Sequence, residues 1–276
     1  LSAHEKLTLA FQQKLAALSG TGESPILDDS SYPIPLHWRS VFHYLHEAGI
    51  TRNLYPDLDS PFNDEPKIYS LRFWASYNER LTDGNQDITG GGYSRGVSQN
   101  PEEAFSKVIG EFLERYPLTI YREKELFRAS VNDFQKKGHR FLNPYFVAAF
   151  SESQKRQFPN RRFHEKSVFR WVKGKSLMTG GPAFVPAQMV FWNYLFCQGE
   201  PFIHQPITNG AGGMFTLTEA ILAGLYELIQ RDAFFVHWLN KIAPPRVDPA
   251  SLADPRFHDL LKNLKRYSIQ AEVLDI

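Results

Sequence analysis

The composition of this 276-residue chain excludes several classes of protein. Hydrophobic residues make up 42% and charged residues 22%, which is typical of globular proteins and not of disordered ones. Lys and Arg number 31 against 30 Asp and Glu, so the net charge of +1 creates no global field for nucleic acid or an anionic membrane. The single cysteine, Cys197, excludes a disulfide framework and a cysteine-rich metal site, and it favours a reducing, cytoplasmic compartment. No apolar stretch of the sequence approaches the length that spans a bilayer.

The hydrophobic pattern predicts a mixture of helices and strands. In chain order, the predicted elements are a helix over Leu1–Leu18, a helix over Trp38–Ala48, a strand over Lys67–Tyr77, a glycine-rich loop over Thr82–Gly96, a helix from Pro101 to Tyr116 capped by Asn100, strands over Ser167–Val172 and Ala183–Val190, a loop over Ile203–Gly213, helices over Thr216–Leu239 and Arg256–Tyr267, and a strand over Ile269–Ile276. This mixture predicts an α/β fold of the mixed α+β kind. We expect residues 1–50 to form an N-terminal helical segment and residues 51–276 to form the main domain.

The sequence contains an internal duplication with a constant offset of 116 residues. Gly96–Tyr116 reads GVSQNPEEAFSKVIGEFLERY, and Gly212–Asp232 reads GGMFTLTEAILAGLYELIQRD. The glycine, two glutamates and an arginine coincide in the two copies, and apolar positions match apolar ones nearly throughout. Two copies of one element predict two pseudo-symmetric halves, each a glycine loop followed by a glutamate-rich helix.

Each copy places a polar stripe along one face of its helix. Helical spacing aligns Glu103, Lys107, Glu111 and Glu114 in the first copy, and Glu219, Ala223, Glu227 and Gln230 in the second. If two carboxylate stripes face each other they repel, unless cations such as Mg²⁺ lie between them. The glycine loops would expose backbone N–H groups that suit phosphate.

The alternative is that both stripes are solvated helix faces on which Glu and Arg pair at i,i+4. Apolar residues flank the second stripe and predict that this helix is buried on both sides, where its carboxylates would need partners. These flanking residues are Ile221, Leu222, Leu225, Leu228 and Ile229.

The order of motifs along the chain resembles the YcaO-domain family over roughly Ala48 to Ile276. The motifs are EAxxxxxGExxER over Glu103–Arg115, WVxGxSL over Trp171–Leu177, VPAQxV over Val185–Val190, EPF over Glu200–Phe202, TNG over Thr208–Gly210 and EAxxxGLxExxxRDA over Glu219–Ala233. The resemblance implies that residues 51–276 form a YcaO-like ATP-binding domain. The family's C-terminal segment is not matched, which implies either a truncated domain or a reduced member.

The resemblance also implies an activity, cofactors and partners. Members of the family use ATP and Mg²⁺ to phosphorylate a backbone amide oxygen, so that a Cys, Ser or Thr side chain of the substrate forms a thiazoline or oxazoline, or sulfide forms a thioamide. The implied substrate is a ribosomally synthesised peptide or protein, with a leader-binding or sulfur-supplying protein as a further expected partner. A homodimer is expected only from the general prevalence of dimers. Nucleic acid and membrane are not expected partners.

Matching the family's nucleotide motifs residue by residue assigns two groups of site residues, without assigning a catalytic side chain. The implied Mg²⁺ ligands are Glu111, Glu114, Glu219 and Glu227. The implied ATP and phosphate ligands are Arg95, Lys107, Arg115, Asn209, Gln230 and Arg231.

Three departures from the family pattern keep a second interpretation open. Lys107 replaces a serine, Ala223 replaces a glutamine and Gln230 replaces a glutamate. The chain would then be a degenerate scaffold that binds a peptide or partner protein without ATP turnover. A weaker third interpretation is an RNA- or anion-binding protein that uses the basic segment Ser151–Lys175, which the near-zero net charge disfavours.

Overall fold

The structure is a computed structural model that describes residues 34–59, 67–74, 93–148, 150–158, 161–192 and 194–276. The predicted helix over Leu1–Leu18 and the glycine-rich residues 82–92 lie outside these ranges. The described residues form two compact units. The first contains 34–59, 67–74, Tyr93–Phe112 and Met214–Ile276, and the second contains the described part of Leu113–Gly213. The proposed boundary at residue 50 stays a prediction.

Helices and strands are mixed along the chain. The helices are α1 (Leu36–Glu47), α2 (Pro101–Arg115), α3 (Val131–Lys136), α4 (Pro144–Val147), α5 (Glu152–Gln157), α6 (Leu217–Asn240) and α7 (Pro255–Arg266). The strands are β1 (Asp57–Leu58), β2 (Tyr69–Trp74), β3 (Tyr93–Ser98), β4 (Phe127–Ser130), β5 (Val168–Lys175), β6 (Pro182–Pro186), β7 (Arg246–Val247) and β8 (Val273–Leu274). The mixed α/β class predicted from the sequence is confirmed.

The first unit is built on an antiparallel sheet with the strand order β1-β2-β3. Strand β2 alternates, so that Leu71 and Phe73 are buried while Arg72 and Trp74 are only partly buried. The buried side packs against α1 and α2 through aromatic rings. The centroid of the Phe73 ring lies 5.1 Å from that of Phe42 and 5.2 Å from that of Phe112. The first unit also contains the antiparallel pair β7-β8. Helix α2 is therefore held by its apolar face, which leaves its polar face for other contacts.

The second unit is built on the antiparallel sheet β4-β5-β6. Its core is a cluster of Val131, Phe134, Phe169, Trp171, Phe184 and Ile203. The Phe134 ring contacts Trp171 edge-on and stacks on Phe184, with a centroid distance of 4.7 Å in each case. These contacts join α3 to strands β5 and β6. The Trp171 ring is fully buried and donates its indole N–H to the carbonyl of Ala129 at 2.9 Å.

The structure corrects the predicted glycine loop of the first copy, because Gly96 lies inside strand β3. A Cβ atom at this position would lie 2.6 Å from the backbone nitrogen of Val108 and would overlap the carbonyl oxygen of Ala104. Glycine is therefore needed here for the close approach of a strand to helix α2, and not for a loop conformation. In the second copy, the corresponding Gly212 does lie in a loop before its helix.

The predicted burial of α6 on both sides is wrong in the described structure. Gly224 is the only buried residue of this 24-residue helix. Leu222, Leu225, Leu228 and Ile229 are between 41% and 57% exposed. Apolar periodicity indicates that a helix can be covered, but it does not supply the covering element.

Strand β6 is also shorter than predicted, because a 3₁₀ turn over Ala187–Met189 follows Pro186. Among the described residues, the helices include none that is both long and apolar enough to cross a bilayer.

Candidate functional site

Helix α2 begins where the sequence predicted and presents two of the expected metal ligands. The Asn100 side chain accepts the backbone N–H of Glu102 at 2.9 Å, and Pro101 occupies the first turn. Glu111 and Glu114 then follow at i,i+3, which places both carboxylates on neighbouring positions of the helix surface.

Residues of α2 cover the outer edge of strand β3. The Glu111 carboxylate accepts the backbone N–H of Arg95, and one turn earlier the Lys107 ammonium donates to the carbonyl of Val97 at 3.1 Å. Backbone groups at a strand edge need such partners when no further strand pairs with them. Arg95, Lys107 and Glu111, which the sequence placed in one site, are thus brought together.

Lys107 also neutralises Glu103, the first member of the polar stripe. The ammonium lies 2.9 Å from the Glu103 carboxylate, which in turn accepts the Ser98 hydroxyl at 2.7 Å. The hydrogen bonds from Ser98 and then from Lys107 lower the pKa of Glu103 below its ordinary value. Glu103 is therefore held as a carboxylate by groups of its own unit.

A backbone N–H also holds Glu114, the second predicted metal ligand of α2. Its carboxylate accepts the N–H of Gly213 at 3.0 Å, from the loop that leads into α6. A Cβ atom on Gly213 would lie 2.7 Å from the Glu114 Cβ atom, so this contact requires glycine. The loop therefore fixes the position of one carboxylate of α2, whereas strand β3 fixes the other.

The predicted phosphate ligand Arg95 is oriented by an acidic residue that the sequence analysis missed. The Arg95 guanidinium forms two hydrogen bonds with Asp59, at 2.9 and 3.1 Å. Asp59 also pairs with Arg72 at 2.9 Å. In the sequence, the alternation of β2 indicated that Arg72 lies off the buried face. This alternation was the available signal for the contribution of Arg72.

Helix α6 carries the second group of predicted residues in different surroundings. Glu219 forms a capping box, in which its carboxylate accepts the Thr216 hydroxyl at 2.8 Å and the Thr216 side chain accepts the Glu219 N–H. Glu227 pairs with Arg231 at 2.6 Å, as the i,i+4 alternative predicted. Gln230 is exposed on the same helix.

The two remaining predicted ligands belong to the second unit. Arg115 ends α2, and its guanidinium lies 5.1 Å from the centroid of the Trp192 ring, a cation–π contact. Asn209 is half-buried in the irregular segment before α6. Neither the cation–π contact of Arg115 nor the position of Asn209 by itself identifies a phosphate site.

The carboxylates fit Mg²⁺ by the chemistry of their donors. The described residues contain no group of three or more His, Cys, Asp or Glu that could form a complete metal cage. Mg²⁺ is usually bound by one or two carboxylates together with substrate phosphates and water, so a protein cage is not required. A carboxylate has about four acceptor positions, and carboxylate oxygens of the kind that Glu111 and Glu114 carry are the ligands that Mg²⁺ prefers.

A buried ionic network lies in the second unit and was not predicted as one. Arg170, which the sequence analysis counted as part of a basic segment, is only 3% exposed and lies 3.3 Å from Glu200. Tyr194 donates its hydroxyl to Glu200 at 2.7 Å and accepts from Arg170 at 2.6 Å. Burial, followed by the charge of Glu200, raises the pKa of Tyr194 well above its usual range.

The described fold is similar to solved structures of two other proteins. One is a heterocyclase in complex with substrate and cofactor, with a TM-score of 0.66 and 21% identity over 91% of this chain and 35% of that chain. The other is YcaO from Methanopyrus kandleri bound with AMPPCP and Mg²⁺, with a TM-score of 0.52 and 20% identity over 83% of this chain and 51% of that chain. At these identities the likeness shows the fold alone.

Sequence comparison then gives the family. A protein from the tfuA 3′ region of Rhizobium leguminosarum bv. trifolii is 29% identical over 110 residues, which are 38% of this chain and 26% of that protein. Residues 95–276 match the profile of the family described as YcaO cyclodehydratase, ATP- and Mg²⁺-binding. This chain belongs to the YcaO family. It spans between about a quarter and a half of the length of the relatives described here.

Proposed function

We propose that this chain uses Mg²⁺ and ATP to activate a backbone amide of a ribosomally synthesised peptide. The observation that carries the proposal is the pair of carboxylates on α2, each oriented by a backbone N–H: Glu111 by Arg95 at the edge of β3, and Glu114 by Gly213. Family membership over 95–276 supplies the reaction class. ATP would supply a phosphoryl group to the amide oxygen, which leaves as phosphate once a nucleophile has attacked the amide carbon.

The residues of this chain would bind and orient the reactants. Glu111 and Glu114 would hold Mg²⁺ together with Glu219 and Glu227. Arg95, Lys107, Arg115 and Arg231 would offset phosphate charge, and Asn209 and Gln230 would donate hydrogen bonds. Because the substrate carries its own Cys, Ser or Thr nucleophile, positioning and charge stabilisation account for the task of the protein.

The finer features of the function are part of the same proposal. The product would be a thiazoline or oxazoline, or a thioamide if sulfide is the nucleophile. A leader-binding or sulfur-supplying partner protein is part of this proposal through the motif resemblance, a homodimeric state through the general prevalence of dimers, and a cytoplasmic location through cysteine usage. The single cysteine is consistent with that location.

The first test is calorimetric titration of ATP with and without Mg²⁺ on the wild-type chain, Glu111→Gln and Glu114→Gln. Glutamine keeps an oxygen acceptor for the N–H groups of Arg95 and Gly213, so the fold is preserved while the charge is lost. We expect Mg²⁺-dependent binding in the wild-type chain and a loss of about tenfold or more in each variant.

A matched control separates a local effect from a change of net charge. Glu272 is a partly exposed glutamate paired with Arg246 at 3.3 Å, and Glu272→Gln changes the net charge equally. It should bind ATP like the wild-type chain. Equal affinity with and without Mg²⁺, or wild-type binding by both α2 variants, would reject the proposed site.

A specific observation keeps the degenerate scaffold as a second candidate. Lys107 is already paired with Glu103 and with the Val97 carbonyl, so a cation of the protein occupies part of the stripe. If the folded wild-type chain binds no ATP, the duplicated helices are inherited architecture for binding a peptide or partner protein. Mg²⁺-dependent ATP hydrolysis that Glu111→Ala abolishes rejects that candidate.

A further inference from the structure

Two arginines lie side by side on the sheet of the first unit and share one carboxylate. Arg72 of β2 and Arg95 of β3 are directly opposite in the antiparallel register. One oxygen of Asp59 accepts from Arg72 at 2.9 Å, and the other accepts from Arg95 at 2.9 and 3.1 Å. The Asp59 side chain is 16% exposed, against 35% for Arg72 and 53% for Arg95. A shielded carboxylate thus orients two more accessible guanidinium groups.

Two carboxylates lie beside these guanidinium groups, because Asp57 of β1 is directly opposite Arg72 in the antiparallel register. Like charges directly opposite each other on neighbouring strands are unfavourable, so the two arginines need such acidic neighbours. Asp59 does not saturate Arg72, because Arg72 Nε is buried and has no acceptor within the described part of the chain. Arg72 also lies over the Trp74 ring at 5.3 Å, and the Trp74 indole N–H is fixed by Asp57 at 2.9 Å. Both guanidinium groups are therefore oriented before any ligand arrives.

The position of the pair points to phosphate as its ligand. The backbone N–H of Arg95 is bonded to Glu111, the proposed Mg²⁺ ligand, so the arginine pair and that carboxylate meet at one residue of β3. Mg²⁺ is commonly shared between a carboxylate and the phosphates of a nucleotide, which brings phosphate oxygens toward this residue. The fork of a guanidinium matches two phosphate oxygens, and Arg72 has an Nε–H without an acceptor among the described residues.

We propose that Arg72 is a second arginine that binds the polyphosphate of ATP beside Arg95, with Asp59 as the positioning residue of both. The inference rests on the proposed function. It adds Arg72 and Asp59, which the family motifs did not supply. It assigns Arg72, oriented by Asp59, to the phosphates and not to the adenosine.

The experiment compares Mg²⁺-bound ATP with AMP as ligands in calorimetric titrations of the full chain. Arg72→Ala should weaken ATP binding about tenfold or more, because charged hydrogen bonds to phosphate are lost, and should leave AMP binding nearly unchanged. Arg72→Lys keeps the charge without the fork and should lie between the wild-type chain and Arg72→Ala. Asp59→Asn should also lower the ratio of ATP to AMP affinity, because the two guanidinium groups lose their shared acceptor.

Arg246→Ala is the matched control, since Arg246 is an exposed arginine paired with Glu272 in the same unit. It should keep the wild-type ratio of ATP to AMP affinity. A wild-type ratio in folded Arg72→Ala and Arg72→Lys would overturn this inference alone. Absence of ATP binding in the wild-type chain would overturn the proposed function and, with it, this inference. If Arg72→Ala fails to fold, Arg72→Lys decides, because only a phosphate contact makes the ratio depend on the guanidinium fork.

Discussion

Two glycines of one sequence copy differ in what a side chain would meet, and this difference predicts opposite mutational effects. Gly96 is buried against α2, where a Cβ atom would lie 2.6 Å from the Val108 nitrogen. Gly110 lies on the exposed side of α2 with open space around its Cα atom. We expect Gly96→Ala to lower the free energy of unfolding by about 1–3 kcal/mol through overpacking.

The matched variant Gly110→Ala should raise the free energy of unfolding by about 0.5–1 kcal/mol, because alanine favours the helix. Urea denaturation measures both variants through their midpoints. Equal effects of the two substitutions would contradict the close packing of β3 against α2.

Tyr194 predicts how the stability of the second unit changes with pH. Burial and Glu200 raise its pKa in the folded chain above the ordinary value of 10.0. Between pH 10 and the raised pKa of Tyr194, the unfolded chain loses a proton that the folded chain keeps. The contribution of Tyr194 to the free energy of unfolding, which is fully present below pH 10, is therefore lost as pH rises, by about 1.4 kcal/mol per pH unit.

Tyr194→Phe should therefore flatten the decline of unfolding free energy above pH 10, although it weakens the fold at neutral pH by removing hydrogen bonds to Arg170 and Glu200. Tyr226→Phe, at a residue that is 64% exposed, is the control. Denaturant titrations at several pH values measure the slope. An unchanged slope in Tyr194→Phe would contradict the burial of a neutral phenol.

At the scale of elements, the capping box of α6 makes the role of Glu219 testable. Its carboxylate caps Thr216 in the structure, and the family resemblance assigns the same carboxylate to Mg²⁺. Glu219→Gln keeps a capping box, since glutamine serves at this position, but removes the charge. We expect nearly unchanged stability and weaker Mg²⁺-dependent ATP binding.

Thr216→Ala is the complementary variant, and it should cost about 1 kcal/mol of stability while Mg²⁺ dependence persists. Thermal unfolding and calorimetric titration of the same samples give the two readouts. If Glu219→Gln binds Mg²⁺-bound ATP like the wild-type chain, Glu219 is a helix cap and not a metal ligand.

The sequence predicted those elements whose causes are local. Asn100 with Pro101 starts α2, and Thr216 starts α6, because capping depends on residues within one turn. Gly96 in β3 was not predicted, because its requirement comes from helix α2 packing on the strand and not from its own neighbours in sequence. The residue-by-residue match to the family located Arg95 and Glu111, whereas Asp59 and Arg72 join them only through strand pairing. Such pairing depends on register, which a single sequence specifies weakly.

At the scale of the whole molecule, the nearly balanced charge is also distributed into local pairs. In the basic segment, Lys155 pairs with Glu152 at 2.8 Å, and Arg170 is buried beside Glu200. The Arg161 guanidinium lies 4.2 Å from the centroid of the Phe158 ring. Several cations that suggested a polyanion surface therefore have partners within the protein. The sequence could not show all of these pairs, because Glu200 is 30 residues from Arg170 along the chain.

We accordingly predict weak binding of nucleic acid by this chain. Fluorescence anisotropy with labelled single-stranded RNA should give no dissociation constant tighter than about 100 μM at about 150 mM salt, because few phosphate contacts can form at once. Lys173 and Lys175 are exposed cations of β5, and replacing both with glutamate provides the matched test of the segment. The prediction fails if the wild-type chain binds RNA at micromolar concentrations with a steep dependence on salt and the double variant loses that binding. That outcome would restore the basic segment as an interaction surface and would weaken the conclusion that its cations are committed to internal pairs.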